Sequence, residues 1–164
     1  MGNIIDASIE SFNKFIVDQR ELPGRANVSL FLFDDKFDEI HLNTPLHKFP
    51  LITHRTYTPR GMTAMNDAIG KVFTEYTFDA DKTIVIILTD GMENCSQKFT
   101  TSQIKELIQG TKAEVIYLAA NQDAFKVGAQ YGFDPAMTVQ FDSNPTDTTR
   151  VYGNMSSSVA GLRS

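Results

Sequence analysis

Gly61-Met62-Thr63-Ala64-Met65-Asn66-Asp67-Ala68-Ile69, followed further on by Thr83-Ile84-Val85-Ile86-Ile87-Leu88-Thr89-Asp90-Gly91, decides the fold. The first stretch reads as a loop carrying a hydroxyl that runs into a helix. Met65, Ile69, Val72 and Tyr76 fall on one helical face, with Phe73 beside them. The second is a continuous β-branched and leucine run that ends in a carboxylate, the pattern of a strand covered by helices on both faces. A hydroxyl and a carboxylate at the same end of a parallel sheet can share one hard cation, which takes oxygen ligands. Ligands in open α/β sheets gather at the carboxyl ends of the strands. Thr63 and Asp90 are therefore the candidate metal ligands. The structural alternative makes Thr63 the cap of the helix near Met65, and Asp90 the residue that fixes the turn before Gly91.

Outward from this pair, strands and helices alternate. Ile5, Ile9, Phe12 and Ile16 mark one face of a helix over residues 3–20, ended by Leu22-Pro23-Gly24. Val28 to Phe33 reads as a buried strand, Asp34-Asp35-Lys36 as a turn, and Glu39 to Asn43 as the half-exposed return strand of a hairpin. Residues 44–61 read as a long loop. After the strand at 84–88, Thr100 or Thr101 can cap a short helix holding Ile104, Leu107 and Ile108, which Gly110 ends. Glu114 to Leu118 is another buried strand, and Asn121-Gln122-Asp123 opens a helix closed by Gly132. Met137 to Phe141 is a short last strand, and Val151, Tyr152, Met155, Val159 and Leu162 belong to a terminal helix. This alternation predicts a mostly parallel sheet in one α/β domain over residues 1–164, with the runs at 84–88 and 115–118 central and parallel.

Composition removes several function classes. The net charge is −5 with no basic run, which disfavours nucleic acid. No stretch approaches the roughly 18 apolar residues of a membrane span. The amphipathic start, with Asp6 and Glu10, does not read as a signal peptide. The lone Cys95 allows no internal disulfide and fits a reducing, cytoplasmic setting. No histidine lies near Cys95 in sequence to activate it, so it reads as an ordinary thiol. His41, His47 and His54 lack zinc-ligand spacing. Neither phosphate-binding glycine motif occurs.

The two deciding segments resemble the von Willebrand factor A (vWA) family. In that family a metal-ion-dependent adhesion site is built from three loops: D-x-S-x-S after the first strand, a threonine in G-x-T-A, and an aspartate in T-D-G. Thr63 matches the second loop and Asp90 the third; the first loop and its strand are missing here. The sequence begins Met1-Gly2, as if at the end of that first motif. Ala120-Asn121-Gln122-Asp123-Ala124, Gly128 and Tyr131-Gly132 resemble the later portion of prokaryotic and phage members. The resemblance implies a three-layer, Rossmann-like sandwich with an antiparallel hairpin edge. It also implies a Mg²⁺ site, weakened or lost with the first loop, and an acidic group on a protein partner that completes the metal coordination.

Two function classes follow. The first is a non-catalytic protein-binding or scaffold module with an incomplete metal site. Its partner surface is formed by Asp34, Asp35, Arg60, Gly61, Met62, Glu93 and Asn94. The alternative is a metal-dependent, phosphatase-like hydrolase using Asp90. The absent first strand leaves the runs at 28–33 and 84–88 without their usual neighbour. Direct closure of one on the other is the favoured expectation. Strand donation or self-association through the gap is the second, and a natural protein that starts further upstream is the third.

Overall fold

A computed structural model describes residues 2–56, 62–78, 80–89, 93–120 and 123–163. The chain divides into two compact units. One comprises Met1–Leu32, Phe37–Pro59 and Asp142–Ser164, the other Phe33–Lys36 and Arg60–Phe141. The class is α/β; the described residues form five α-helices, a parallel three-stranded sheet and an antiparallel hairpin.

In the first unit, helix α1 (Gly2–Arg20) packs against the terminal helix α5 (Pro145–Arg163). The apolar spacing read from the sequence explains the contact: Ile9 and Ile16 on α1, and Val151, Met155 and Val159 on α5, are buried. Polar bonds fix the pair. Buried Gln19 donates through Nε2 to the Ser156 carbonyl, and Arg163 donates to both the carbonyl and Oε1 of Gln19. Asn144 starts α5 by accepting from the Asp147 amide at 2.8 Å, and Pro145 follows where its missing N–H costs nothing. Strands β1 (Asn27–Phe33) and β2 (Phe37–Pro45) form the hairpin, and Phe31 stacks on Phe37. The segment expected as one long loop is partly regular. β2 runs on to Pro45, and a short 3₁₀ turn covers Leu46–Lys48. Asn13 then tethers the chain to α1, donating to the Ile52 carbonyl and accepting from the Ile52 amide.

The histidines are dispersed. His41 packs edge-on against Phe49, and His54 pairs with Asp6 at 3.0 Å. Among the described residues, no group of histidine, cysteine and carboxylate side chains is placed to hold a metal.

In the second unit, β3 (Ile84–Thr89), β4 (Glu114–Ala120) and β5 (Thr138–Phe141) form a parallel sheet in the order β3-β4-β5. Helices α2 (Met65–Glu75), α3 (Thr101–Gly110) and α4 (Ala124–Tyr131) complete the unit. Thr100 caps α3 in a reciprocal box with Gln103. Asp123 caps α4, and Gly132 ends it with φ at 76°, a conformation that costs glycine little. One core joins Met65 and Ile69 of α2 to Ile87 of β3, Tyr117 and Ala119 of β4, and Ile104, Tyr131 and Phe133. Gly70 permits a close approach, because a Cβ there would lie 2.4 Å from the Phe99 ring.

Two expectations change. The runs at 84–88 and 115–118 are parallel neighbours, but only β4 is central; β3 has a ladder on one side alone among the described residues. Among the described residues β1 ladders with β2, and the tight 34–36 turn closes that hairpin at small entropic cost. The last strand begins at Thr138, because Met137 belongs to a 3₁₀ turn, Pro135–Met137, capped by Asp134.

Candidate binding rim

Three segments of the second unit meet at the start of α2: the turn 33–36, residues 62–64, and the loop 93–100. The turn is shaped by Asp34, which is 7% exposed. Its carboxylate accepts from the Lys36 amide at 2.8 Å, and its carbonyl accepts from the Ala64 amide at 2.6 Å. Asp35 beside it is exposed. Asn94 grips the next segment twice. Its Oδ1 accepts from the Thr63 amide at 3.0 Å, and its own amide donates to the Thr63 carbonyl at 3.0 Å. Thr63 is thus held by its backbone. Among the described residues its hydroxyl carries no hydrogen bond.

Thr63 does not cap α2. The cap position is Ala64, with no side-chain bond. The helix's first donors are satisfied from the 93–100 loop instead. Glu93 Oε1 accepts from the Asn66 amide at 2.9 Å, and Ser96 Oγ accepts from the Asp67 amide at 3.0 Å. Ser96 Oγ in turn donates to Glu93 Oε1. Glu93 Oε2 accepts from the amides of Cys95 and Ser96 at 2.9 and 3.0 Å. A carboxylate offers about four acceptor positions, and Glu93 uses them on four donors. Its negative charge at the N-terminus of α2 also suits the helix dipole.

Asp67 closes the other end of the loop by accepting from the amides of Gln97, Lys98 and Phe99 at 2.8, 2.9 and 3.0 Å. Partial desolvation opposes its ionisation, but these three bonds and the nearby Lys98 charge prevail and lower its pKa. Behind the rim, Asn66 is 5% exposed. It accepts from the Tyr131 hydroxyl at 2.6 Å and donates to Thr101 Oγ1 at 3.4 Å. One asparagine so links the starts of α2 and α3 to the end of α4.

Sequence alone assigned no site role to Asn66, Asp67 or Ser96. A signal was present: polar Asn66 and Asp67 sit in the first turn of α2 beside core residue Met65. Of the residues it did name, Asp34, Asp35, Met62, Thr63, Glu93 and Asn94 belong to the three segments, and Met62 is 49% exposed. Asp90, Arg60 and Gly61 lie outside the described residues, as do Gly91, Asn121 and Gln122. The described part of the rim therefore supplies one uncommitted hydroxyl, Thr63, and the saturated Glu93 has no acceptor left for a cation.

Cys95 is a free, half-buried thiol in the same loop. Burial and the carboxylates of Glu93, Asp35 and Asp67 push its pKa up. That favours the protonated form and makes it a poor nucleophile.

No protein-family model matches the sequence, and no curated protein does. Solved structures match its fold. Two structures of proximal thread matrix protein 1 from the mussel byssus share 11% identity with it, at TM-scores of 0.71 and 0.69. They cover 97% and 93% of this chain, which spans 41% of theirs. A third, described as having a zinc-occupied MIDAS motif (a metal-ion-dependent adhesion site), shares 13% identity at a TM-score of 0.60 and covers 91% of this chain. The chain thus has the fold of these vWA-like proteins and spans about two fifths of their length.

Proposed function

We propose that the chain is a non-catalytic binding module of vWA type, which uses its rim to hold a protein partner through a shared divalent cation. The observation that carries this reading is the Thr63 segment. Its backbone is pinned by Asn94 and Ala64 is bonded to Asp34, while its hydroxyl carries no hydrogen bond among the described residues. Thr63 and Asp90 would hold the cation, and water would fill most of its remaining positions, as Mg²⁺ accepts. The likeness to a structure with a zinc-occupied site extends the candidates to Zn²⁺. An acidic side chain on the partner would complete the coordination, with exposed Met62 and Asp35 beside it, and with Arg60 and Gly61 in the same stretch of chain.

A cytoplasmic scaffold of prokaryotic or phage origin remains the setting we propose, from the lone cysteine and the motif resemblance. Among the described residues no helix is long and apolar enough to cross a membrane. A second contact belongs to the same reading: the side of β3 that carries no ladder among the described residues could accept an extended strand, from another copy or another protein.

The hydrolase alternative needs a nucleophile or an activated water. The one thiol at the rim has its pKa pushed up by burial and neighbouring carboxylates, which makes it a poorer nucleophile, and Glu93 is consumed by structural bonds. The deciding experiment supplies p-nitrophenyl phosphate and, separately, a fluorescent acidic peptide, each with Mg²⁺ or Zn²⁺. The module reading expects no turnover and peptide binding that EDTA reverses. Turnover abolished by Asp90→Ala overturns it.

A further inference from the structure

We propose that Glu93 and Asn94 are positioning residues that assemble the rim before any cation arrives, so that the Thr63 segment and the loop after β3 keep one arrangement with or without metal. This rests on the reading of Thr63 as the ligand-bearing residue. A divalent cation is one way to join loops that the chain does not otherwise connect. Here side chains already make that connection. Asn94 Oδ1 accepts from the Thr63 amide, and the Asn94 backbone amide adds a bond to the Thr63 carbonyl. Glu93 ties the Asn66 amide to those of Cys95 and Ser96, spanning the start of α2 and the loop in one carboxylate. Asp67 repeats the device in reverse, with a helix carboxylate binding three loop amides. The loop is therefore stitched to α2 from both sides. The N-terminus of α2, where backbone donors would otherwise await an anion, is occupied by the chain's own Glu93.

Residues that orient a ligand-bearing group typically change metal affinity by 10- to 100-fold when altered. The test measures amide hydrogen exchange on the full chain with EDTA, Mg²⁺ alone or Zn²⁺ alone, and Zn²⁺ affinity by calorimetry. The amides of Thr63, Asn66, Cys95 and Ser96 should be equally protected in EDTA and in metal. Glu93→Gln should speed exchange at Asn66, Cys95 and Ser96, while the β4 amides, as the folding control, stay protected. Asn94→Ala should weaken Zn²⁺ binding about tenfold, and Asn94→Ser, which keeps an oxygen acceptor near the Thr63 amide without adding charge, should restore part of it. A purely structural role would not produce that loss and rescue at unchanged β4 protection. Loss of rim protection in EDTA alone overturns the proposal, as does unchanged exchange in Glu93→Gln. Absence of Zn²⁺ binding by the wild type would instead remove the metal reading, and the exchange data would still decide whether the rim assembles by itself.

Discussion

The rim and the strand β3 belong to the same unit and solve the problem of backbone hydrogen bonding differently. At the rim, donors from three segments find side-chain acceptors in Asp34, Glu93, Asn94 and Asp67. β3 has its ladder to β4 and none on its other side among the described residues. The apolar side chains follow the same division. Ile86 and Leu88 lie in register with Ile116 and Leu118, which are 2% and 1% exposed, yet the β3 members are only half-buried. Composition cannot account for that, since both strands are apolar runs. Position in the sheet does: among the described strands β4 has two neighbours and β3 one.

The sharpest way to break this comparison is to truncate the registered leucines. Leu118→Ala should cost about 2–5 kcal/mol in urea unfolding, the range for a fully buried leucine. Leu88→Ala should cost clearly less, because solvent already reaches the site. Equal losses would mean that the outer side of β3 is covered in solution.

Tyr131 and Tyr117 sharpen the polar half of the comparison. Both are buried, and both have phenol pKa values raised first by desolvation, Tyr117 to about 12. Tyr131 donates to Asn66, whereas the Tyr117 hydroxyl has no partner among the described residues. Tyr131→Phe strands a buried acceptor and should cost about 1–3 kcal/mol. A smaller effect is expected from Asp67→Asn. The folded-state pKa of Asp67 is lowered, so its contribution is present above the unfolded value and is lost as pH falls through the folded one. Wild type should therefore lose stability at acid pH through this group. The variant should start lower at neutral pH and lose less, as read from urea midpoints between neutral pH and the acid limb. Smallest of all, Tyr117→Phe removes a hydroxyl that makes no bond, and should stay within about 1 kcal/mol of wild type or gain slightly.

Most elements were legible in the sequence because they depend on local pattern. Apolar spacing located α1, α2 and α5, continuous β-branched runs located β3 and β4, and Thr100, Asp123 and Gly132 marked helix ends through their own side chains or backbone freedom. The sheet edges were not legible. A strand's sequence records the burial it is suited to, and β3 reads as a central strand although it has one neighbour among the described strands. At the rim, residue identity pointed to the correct loops but not to the wiring. Which of Thr63, Glu93 or Ser96 meets the start of α2 depends on how the loop after β3 folds back, a distance of about thirty residues along the chain.

In the function we propose, Thr63 and Asp90 hold a divalent cation at a rim completed by a partner. Calorimetric titration of the chain with Mg²⁺ and then Zn²⁺, with Thr63→Val and Asp90→Ala beside the wild type, checks this. Weak Mg²⁺ binding, on the order of millimolar, is expected for a site with few protein ligands and several waters. Thr63→Val should weaken the binding of either metal, and Asp90→Ala should remove it. Binding that survives both substitutions unchanged, or no heat with either metal, would rule out this site.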